Sequence, residues 1–178
     1  MYYCRYKSPV GTLMLASEGD SLIGLWMLGQ KHFARTLSPN AVEDTRVSAL
    51  KQATAWLDRY FAGERPSPRE LHLAPEGSPF RQAVWKLLTE IPYGETVTYG
   101  ELARKLVETE GAVRTSPRAV GGAVGHNPIS IIIPCHRVIG ADGSLTGYAG
   151  GLEKKRWLLE FEGVDVEKHA VHAVLTWK

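Results

Sequence analysis

A cysteine, a histidine and an arginine stand side by side at positions 135–137, at the end of the apolar segment "NPISIIIPCHRVIG". A histidine beside a cysteine can take the thiol proton, and the resulting thiolate is a far better nucleophile than the thiol. Adjacent side chains of an extended segment point to opposite sides, so a relay from Cys135 to His136 needs a bend at Pro134 or a bridging water. The alternative is that Cys135 is a small buried apolar side chain without chemistry.

A histidine that accepts a proton also needs a carboxylate to hold its tautomer. Among the acidic residues that follow, Glu162 stands out because it ends the predicted helix "LEKKRWLLEFE", where the helix dipole disfavours an anion. It also lies four residues after Leu158, toward the apolar face. The position indicates either a paired carboxylate or a frayed, exposed helix end. The other candidates are Asp142, Glu153 and Glu160.

Between the cysteine and that helix lies the glycine-rich segment "TGYAGGL". Flexible backbone around Tyr148 forms tight turns, and it also lets peptide N–H groups and an aromatic ring line a flat pocket. The segment is therefore a candidate binding loop.

The first seventy-odd residues have the pattern of a small α/β domain. Two or three short strands are separated by turn signals at 9–11 and 18–20, and "VSALKQATAWLDRYFAGE" has helical spacing that ends at Gly63. The segment "ERPSPRELHLAPEGSP" is typical of a linker. The sequence predicts an α/β domain over 1–75, a mostly helical domain over 76–163 and a tail over 164–178.

Helix signals dominate the second half. Ser78 followed by Pro79 predicts one helix start, and Thr98 with Glu101 forms a capping box that predicts another. A turn then precedes the short helix "RAVGGAVGH", and two short helices joined by a turn predict a helix-turn-helix.

This short helix has a nearly bare side. Val120 and Val124 can pack inward, and the opposite side is predicted to hold Ala119, Gly122 and Ala123. Glycines in a helix interior cost about 1 kcal/mol each, so their presence needs a reason. Either another helix packs closely here, or the backbone of a partner approaches, as in a DNA minor groove about 6 Å wide.

Composition excludes several classes of protein. The 178 residues carry a net charge of +2, and no apolar run approaches the roughly 18 residues of a membrane span. The start of the chain lacks the apolar core of a secretory signal, and two cysteines form no disulfide framework, which predicts a cytoplasmic protein. No strong zinc spacing occurs, and His169 with His172 fits a solvated tail helix better than a metal pair.

Charge is distributed unevenly along the chain. Residues 112–141 contain no Asp or Glu but hold Arg114, Arg118 and Arg137. Such a stretch suits a phosphate-rich partner, although it also fits an ordinary solvated face.

These segments together resemble the O6-alkylguanine-DNA alkyltransferases, also called methylated-DNA–protein-cysteine methyltransferases. The resemblance rests on "PCHRV" at 134–138, on "RAVGGAV" followed by "NP", and on "GYAGGLEKKRWLLEFEG". It is close over 78–163 and loose over the N-terminal part. It implies a ribonuclease-H-like N-terminal domain before the helical domain with its helix-turn-helix.

The resemblance also implies a function. A monomer without cofactor or metal would bind double-stranded DNA through the minor groove and flip out a damaged nucleotide. It would then move the alkyl group of O6-alkylguanine, or of O4-alkylthymine, irreversibly to a cysteine. No membrane is involved.

The implied roles divide into three groups. Cys135 would be the acceptor, His136 its base through a water, Glu162 the residue that orients His136, and Asn127 the brace of the turn. Arg118 would enter the base stack, Tyr99 would press on the phosphate of the target, and Ala119, Gly122 and Ala123 would sit in the minor groove. Tyr148, Ala149 and Gly150 would hold the flipped guanine.

The chain departs from the family pattern in a long helix connection, in Ala149 where some members have serine, and in the tail after Gly163. It also lacks the cysteines of the zinc site that some members carry. Two other classes compete with the alkyltransferase interpretation: a thiol hydrolase that turns over, and a lesion-binding relative without the acceptor cysteine.

Overall fold

A computed structural model describes residues 1–110 and 115–167. The chain forms two compact units. Unit 1 contains Met1–Glu76 together with Pro128–Ile132, and unit 2 contains Gly77–Asn127 and the chain from Ile133 onward. A sheet-rich first domain and a mainly helical second domain confirm the predicted fold class at this level. The ribonuclease-H-like arrangement and the helix-turn-helix stay predictions.

A four-stranded sheet in the order β3-β2-β1-β4 forms unit 1. Its strands are β1 (Tyr2–Ser8), β2 (Gly11–Glu18), β3 (Ser21–Met27) and β4 (Val42–Glu43). The first three pair as antiparallel neighbours, and β4 runs parallel to β1. The predicted turns separate the strands, with Gly11 and Gly19 at positive φ, where glycine has no steric penalty.

Helix α1 (Ser48–Phe61) contacts β1, β2 and β3. Its buried side chains recur at helical spacing and include Leu50, Ala53, Leu57 and Tyr60, as the sequence predicts. A cluster around Ala16, Ile23 and Trp26 packs with partly buried side chains between 33 and 37. Strand alternation thus places apolar side chains on both faces of the sheet.

The sequence predicts that the segment Pro128–Ile132 belongs to the second domain, whereas in the structure it groups with unit 1. Leu25 donates its backbone N–H to Pro128 O (2.8 Å), and Ser130 donates to Leu25 O (2.9 Å), so the segment adds to the edge of β3. Ile131 has φ +70°, a left-handed conformation that is strained for a β-branched residue. The apolar run predicts burial, but its pattern does not specify which unit buries it.

Unit 2 is built mainly from helices. They are α2 (Pro79–Leu88), α3 (Tyr99–Glu110), α4 (Pro117–Gly125) and α5 (Leu152–Phe161). Ser78 caps α2 by accepting from the Arg81 N–H, and Glu101 accepts from the N–H of Thr98 at 2.7 Å, so both predicted helix starts are confirmed. Helices α2, α3 and α4 pack against one another. The connection 111–114 lies outside the described residues.

Two short parallel strands link the start of α3 to the cysteine segment. Val97 and Thr98 of β5 (Val97–Thr98) pair with Val138 and Ile139 of β6 (Val138–Ile139). Tyr99 therefore begins its helix beside the chain that carries Cys135. Within the described ranges, no helix is long and apolar enough to cross a membrane.

Candidate active site

Cys135 lies in a 3₁₀ turn over Cys135–Arg137, and the expected extended segment is therefore wrong. Pro134 precedes the turn and has no N–H to donate to a sheet. Asn127 holds the chain just before this turn, because its side-chain amide donates a hydrogen bond to Ile133 O at 2.8 Å. The turn is buried, and only 4% of Cys135 is exposed.

The environment of the thiol contains opposing influences. Burial raises the pKa of Cys135, so the resting group is a thiol. A side-chain hydrogen bond from Asn127, the charge of Lys155 and the backbone N–H of His136 act in the other direction by favouring the thiolate. The site therefore holds a protonated sulfur that is surrounded by groups able to stabilise its anion.

His136 and Glu162 form a direct pair. His136 Nε2 lies 2.7 Å from Glu162 Oε1, and both side chains have no exposed surface. Of the four acidic candidates, the structure brings only Glu162 to the histidine. Glu160 pairs with Arg156 at the surface, and Asp142 accepts from Ser144. The frayed-end alternative for Glu162 is wrong.

The charge state of this pair fixes the histidine tautomer. Burial would raise the pKa of Glu162, but the charges and hydrogen bonds of His136 and Arg137 outweigh it and hold that pKa well below its usual range. Burial, opposed by Glu162 and reinforced by the charges of Arg137 and Lys155, lowers the pKa of His136. An ionised carboxylate only accepts hydrogen bonds, so Nε2 of the neutral ring carries the proton.

The other ring nitrogen is left as an acceptor. Nδ1 of His136 is buried and has no hydrogen-bond partner among residues 1–110 and 115–167. A buried, unpaired acceptor costs free energy, and such groups commonly mark sites where a proton or a ligand arrives. The turn thus presents a thiol and an open imidazole lone pair in one buried region.

Lys155 is a fully buried lysine next to this region. Its ammonium group donates to Val138 O at 2.5 Å and to Thr146 O at 2.7 Å. Burial lowers its pKa to about 8, while the nearby Cys135 acts to raise it. Lys155 therefore remains charged at neutral pH and ties β6 to the glycine-rich loop.

Tyr99 reaches the same loop from α3. Its hydroxyl donates to Thr146 O at 3.1 Å, with Gly147 O at 3.4 Å. Gly147 has φ +61°, and a Cβ there would lie 3.1 Å from the Tyr99 hydroxyl. The loop position is therefore set jointly by Tyr99 and Lys155.

The predicted pocket residues follow directly along this loop. Tyr148, Ala149 and Gly150 are partly buried. Burial, with the charges of Cys135 and Glu162, raises the pKa of Tyr148 well above its ordinary value, which places this phenol near the cysteine and keeps it protonated. Gly151, with φ +94°, then turns the chain into α5.

Helix α4 has an exposed side formed by Arg118, Ala119 and Gly122. Space for a Cβ at Gly122 is open, whereas one at Gly121 would touch the Tyr99 ring at 3.7 Å. Ala123 was predicted on the exposed side, and this is wrong. Ala123 is buried, because it lies three residues after Val120 and therefore on the same packed side of the helix. Its backbone carbonyl accepts a hydrogen bond from Trp85 Nε1 at 2.9 Å.

The two described arginines of the acid-free stretch do not share one exposed surface. Arg137 is buried against Glu162, Arg118 is exposed, and Arg114 lies outside the described residues. The pair His169 and His172 also lies outside them. Within the described part of the chain, no group of three or more metal-binding side chains occurs.

Sequence reasoning missed three residues of the site. Arg137 binds Glu162 through two nitrogen atoms, Lys155 supports the loop, and Gly94 donates its N–H to Glu162 Oε2 at 3.2 Å. Gly94 has φ +77°, and a Cβ there would lie 2.8 Å from Glu162 O. Lys155 was detectable, because it shares a helix face with Leu158, Leu159 and Glu162.

Two family models match nearly the whole chain. The model described as 6-O-methylguanine DNA methyltransferase, ribonuclease-like domain, matches residues 1–75, and the one described as the DNA binding domain of the same methyltransferase matches residues 79–164. A methylated-DNA–protein-cysteine methyltransferase of Haemophilus influenzae is 43% identical over 92% of this chain and 87% of its own length.

A second relative of the same name, from Methanosarcina acetivorans, is 45% identical over 92% of this chain and 99% of its own length. Among solved structures, that of Mycobacterium tuberculosis OGT in complex with DNA is 44% identical. It superimposes with a TM-score of 0.79 over 95% of this chain and 99% of that one.

Proposed function

The chain belongs to the 6-O-methylguanine DNA methyltransferase family, and from this premise we propose that it repairs alkylated DNA by direct reversal. The alkyl group of O6-alkylguanine moves to Cys135, and each molecule reacts once. O4-alkylthymine offers the same kind of alkyl carbon on oxygen and is a second substrate. The observation that carries the proposal is the buried cysteine beside a histidine whose Nε2 is bound by Glu162 and whose Nδ1 is open.

Proton transfer begins the reaction. The Cys135 thiol gives its proton through a water to Nδ1 of His136, which is neutral and holds its other proton on Nε2. The imidazolium that forms is stabilised by the Glu162 carboxylate 2.7 Å away. The thiolate is stabilised by Asn127, by the N–H of His136 and by the charge of Lys155.

Displacement follows at the alkyl carbon. Sulfur forms a bond to that carbon, the bond from carbon to O6 breaks, and its electron pair stays with the guanine. The proton that His136 took from the thiol then passes to N1 of the guanine, which restores the normal base. The product is a thioether, which has no easy leaving group, so Cys135 does not recover.

DNA binding is assigned to α3 and α4 as a helix-turn-helix. The exposed side of α4 with Ala119 and Gly122 is narrow enough to enter the minor groove, because these two residues carry almost no side chain. Arg118, at the start of that side, fills the gap left in the base stack. Since Ala123 is buried, it takes no part.

The flipped base is held by the glycine-rich loop. Tyr148 offers an aromatic face near Cys135, and the backbone at Ala149 and Gly150 offers donors and acceptors for a guanine edge. Tyr99 stands at the entrance of the loop, where it contacts the phosphate of the rotated nucleotide. The protein works as a cytoplasmic monomer without a cofactor.

A stoichiometry assay tests the proposal. Excess duplex DNA containing O6-methylguanine is incubated with the protein, and methyl groups on the protein are counted by mass spectrometry of the peptide with Cys135. One methyl group per molecule on that peptide is expected. Repair of more DNA lesions than there are protein molecules would instead identify a thiol hydrolase, and binding without transfer would identify a lesion-binding protein.

A further inference from the structure

Glu162 accepts hydrogen bonds from His136, Gly94 and Arg137, and Arg137 supplies two of them. Oε2 accepts from Arg137 Nε at 2.8 Å and from Gly94 N at 3.2 Å. Oε1 accepts from Arg137 Nη2 at 3.0 Å and from His136 Nε2 at 2.7 Å. The two-point contact sets the plane of the carboxylate, and the histidine ring meets its remaining edge.

Arg137 is itself held in place. Its third nitrogen, Nη1, donates to Ile91 O at 2.6 Å, and its guanidinium lies 5.7 Å from the centre of the Tyr93 ring. The residue is 7% exposed, so it cannot turn to solvent as a surface arginine does. A rigid cation thus faces the carboxylate that the histidine depends on.

We propose that Arg137 is a positioning residue for alkyl transfer, which fixes the Glu162 carboxylate so that His136 stays neutral with its proton on Nε2 and its Nδ1 open. The inference rests on the proposed function, because it assigns a task to that open nitrogen. Arg137 touches neither the substrate nor the sulfur in this scheme. It acts by hydrogen bonds to Glu162 and by its positive charge near His136.

The charge of Arg137 matters as well as its geometry. An anionic Glu162 with His136 as its main partner would draw a second proton onto the ring, and an imidazolium has no lone pair to accept the thiol proton. The positive charge of Arg137 opposes this and lowers the pKa of His136. The charged groups that act on the ring are Glu162, Arg137 and Lys155, and the titratable Cys135 precedes it in the chain. Tyr148 lies near Cys135 and Glu162.

A purely structural role is the competing explanation. Arg137 and Glu162 also tie the turn after α2, at Ile91 and Gly94, to the end of α5. In that case their loss would weaken the fold, but the tautomer of His136 and the pH dependence of the reaction would not change. The two explanations therefore differ in quantities that can be measured on folded protein.

The test uses Arg137→Met and Arg137→Lys in the full chain. The tautomer and charge of His136 are observed from ring ¹⁵N shifts, assigned by comparison with His136→Asn, between pH 5 and 9. The single-turnover rate on duplex DNA is measured over the same range. Arg59→Met serves as a matched control, because Arg59 also binds two acidic residues but lies exposed in unit 1.

In wild-type protein and in Arg59→Met, we expect a proton on Nε2 alone at pH 7. In Arg137→Met, the ring should take up its second proton at a higher pH than in wild type, and the acid limb of the rate profile should move up with it, by about one pH unit or more. Arg137→Lys keeps the positive charge, but its single ammonium group cannot make the two-point contact with the carboxylate. The acid limb of its rate profile should stay near that of wild type, while its highest rate falls roughly tenfold.

An unchanged tautomer and acid limb in folded Arg137→Met would overturn the inference. If that variant does not fold, Arg137→Lys decides, since wild-type behaviour in both measurements would show that the two-point contact is unnecessary. The ¹⁵N measurement needs no alkyl transfer. A wild-type protein that moves no alkyl group would therefore refute the proposed function and leave this inference about His136 open to its own test.

Discussion

Replacing Glu162 with glutamine should strongly destabilise unit 2, although the substitution changes one atom. The carboxylate oxygens accept hydrogen bonds from His136, twice from Arg137, and from Gly94, two at each oxygen. An amide has a single oxygen, so in either orientation its NH₂ group faces two donors. Two buried N–H groups lose their acceptor, and the charge of Arg137 loses its counterion.

The magnitude follows from these losses. Each unsatisfied buried donor costs about 1–3 kcal/mol, and breaking a buried ion pair by changing one partner costs about 3–5 kcal/mol. These are two descriptions of the same loss and do not add. We expect the free energy of unfolding to fall by about 3–5 kcal/mol at pH 7, and alkyl transfer to slow because the tautomer of His136 is no longer fixed.

The effect should depend on pH in a defined direction. The pKa of Glu162 is depressed in the folded protein relative to its unfolded value near 4.3. The stabilisation is therefore complete above that unfolded value and is lost as the pH falls toward the folded one. The difference between wild type and Glu162→Gln should shrink below about pH 4.

Urea unfolding followed by circular dichroism measures these differences. Glu160→Gln is the matched control. Glu160 lies on α5, but it is exposed, and its ion pair with Arg156, at 3.6 Å, is in contact with solvent. This substitution should change stability by less than about 0.5 kcal/mol. A loss below about 1 kcal/mol for Glu162→Gln at pH 7, or a difference that does not shrink in acid, would refute the reasoning.

Three further predictions concern the sulfur, the DNA and the buried lysine. Cys135→Ser should abolish alkyl transfer and keep DNA affinity in a binding titration; alkyl uptake by this variant would contradict the assignment. Arg118→Ala should lower the single-turnover rate on duplex DNA far more than on free O6-methylguanine, and Arg118→Lys should rescue it only in part, since an ammonium does not stack. Equal losses on both substrates would exclude a role in the base stack. Lys155 has a folded pKa of about 8, below its unfolded value near 10.4, so protonation opposes folding and stability should rise with pH across this window. Relative to Lys155→Met, wild type should gain up to about 3 kcal/mol between pH 8 and 10 in urea unfolding, and a falling difference would contradict this sign.

Local signals in the sequence predicted local structure well. The cap at Ser78 and the capping box of Thr98 and Glu101 depend on atoms three residues apart, so the sequence alone specifies them. The strands and α1 follow from periodicity in the same way. Ala123 was misplaced because a nine-residue helix with few side chains gives a weak periodic signal, and one step in angle changes its face.

Contacts distant in sequence were harder to predict. Glu162 lies 25 residues from Arg137, and nothing in the pattern of either segment specifies that they meet. Arg137 was therefore interpreted only as part of a basic stretch. The extended segment expected at Cys135 was wrong for a similar reason. An apolar run predicts burial, but Pro134 and the left-handed Ile131 interrupt extended pairing in a way that periodicity does not detect.

The burial of Cys135 also determines which other reagents can react with its sulfur. Peroxides, disulfides such as oxidised glutathione and soluble electrophiles all react with accessible thiolates. Cys135 offers them little, since it is 4% exposed and burial keeps its sulfur protonated. Under the proposed chemistry, each accidental alkylation, or oxidation as far as the sulfinic acid, would remove one protein molecule from service permanently. Burial therefore protects the sulfur from soluble oxidants and electrophiles, so that the protein is inactivated mainly by the lesion it repairs.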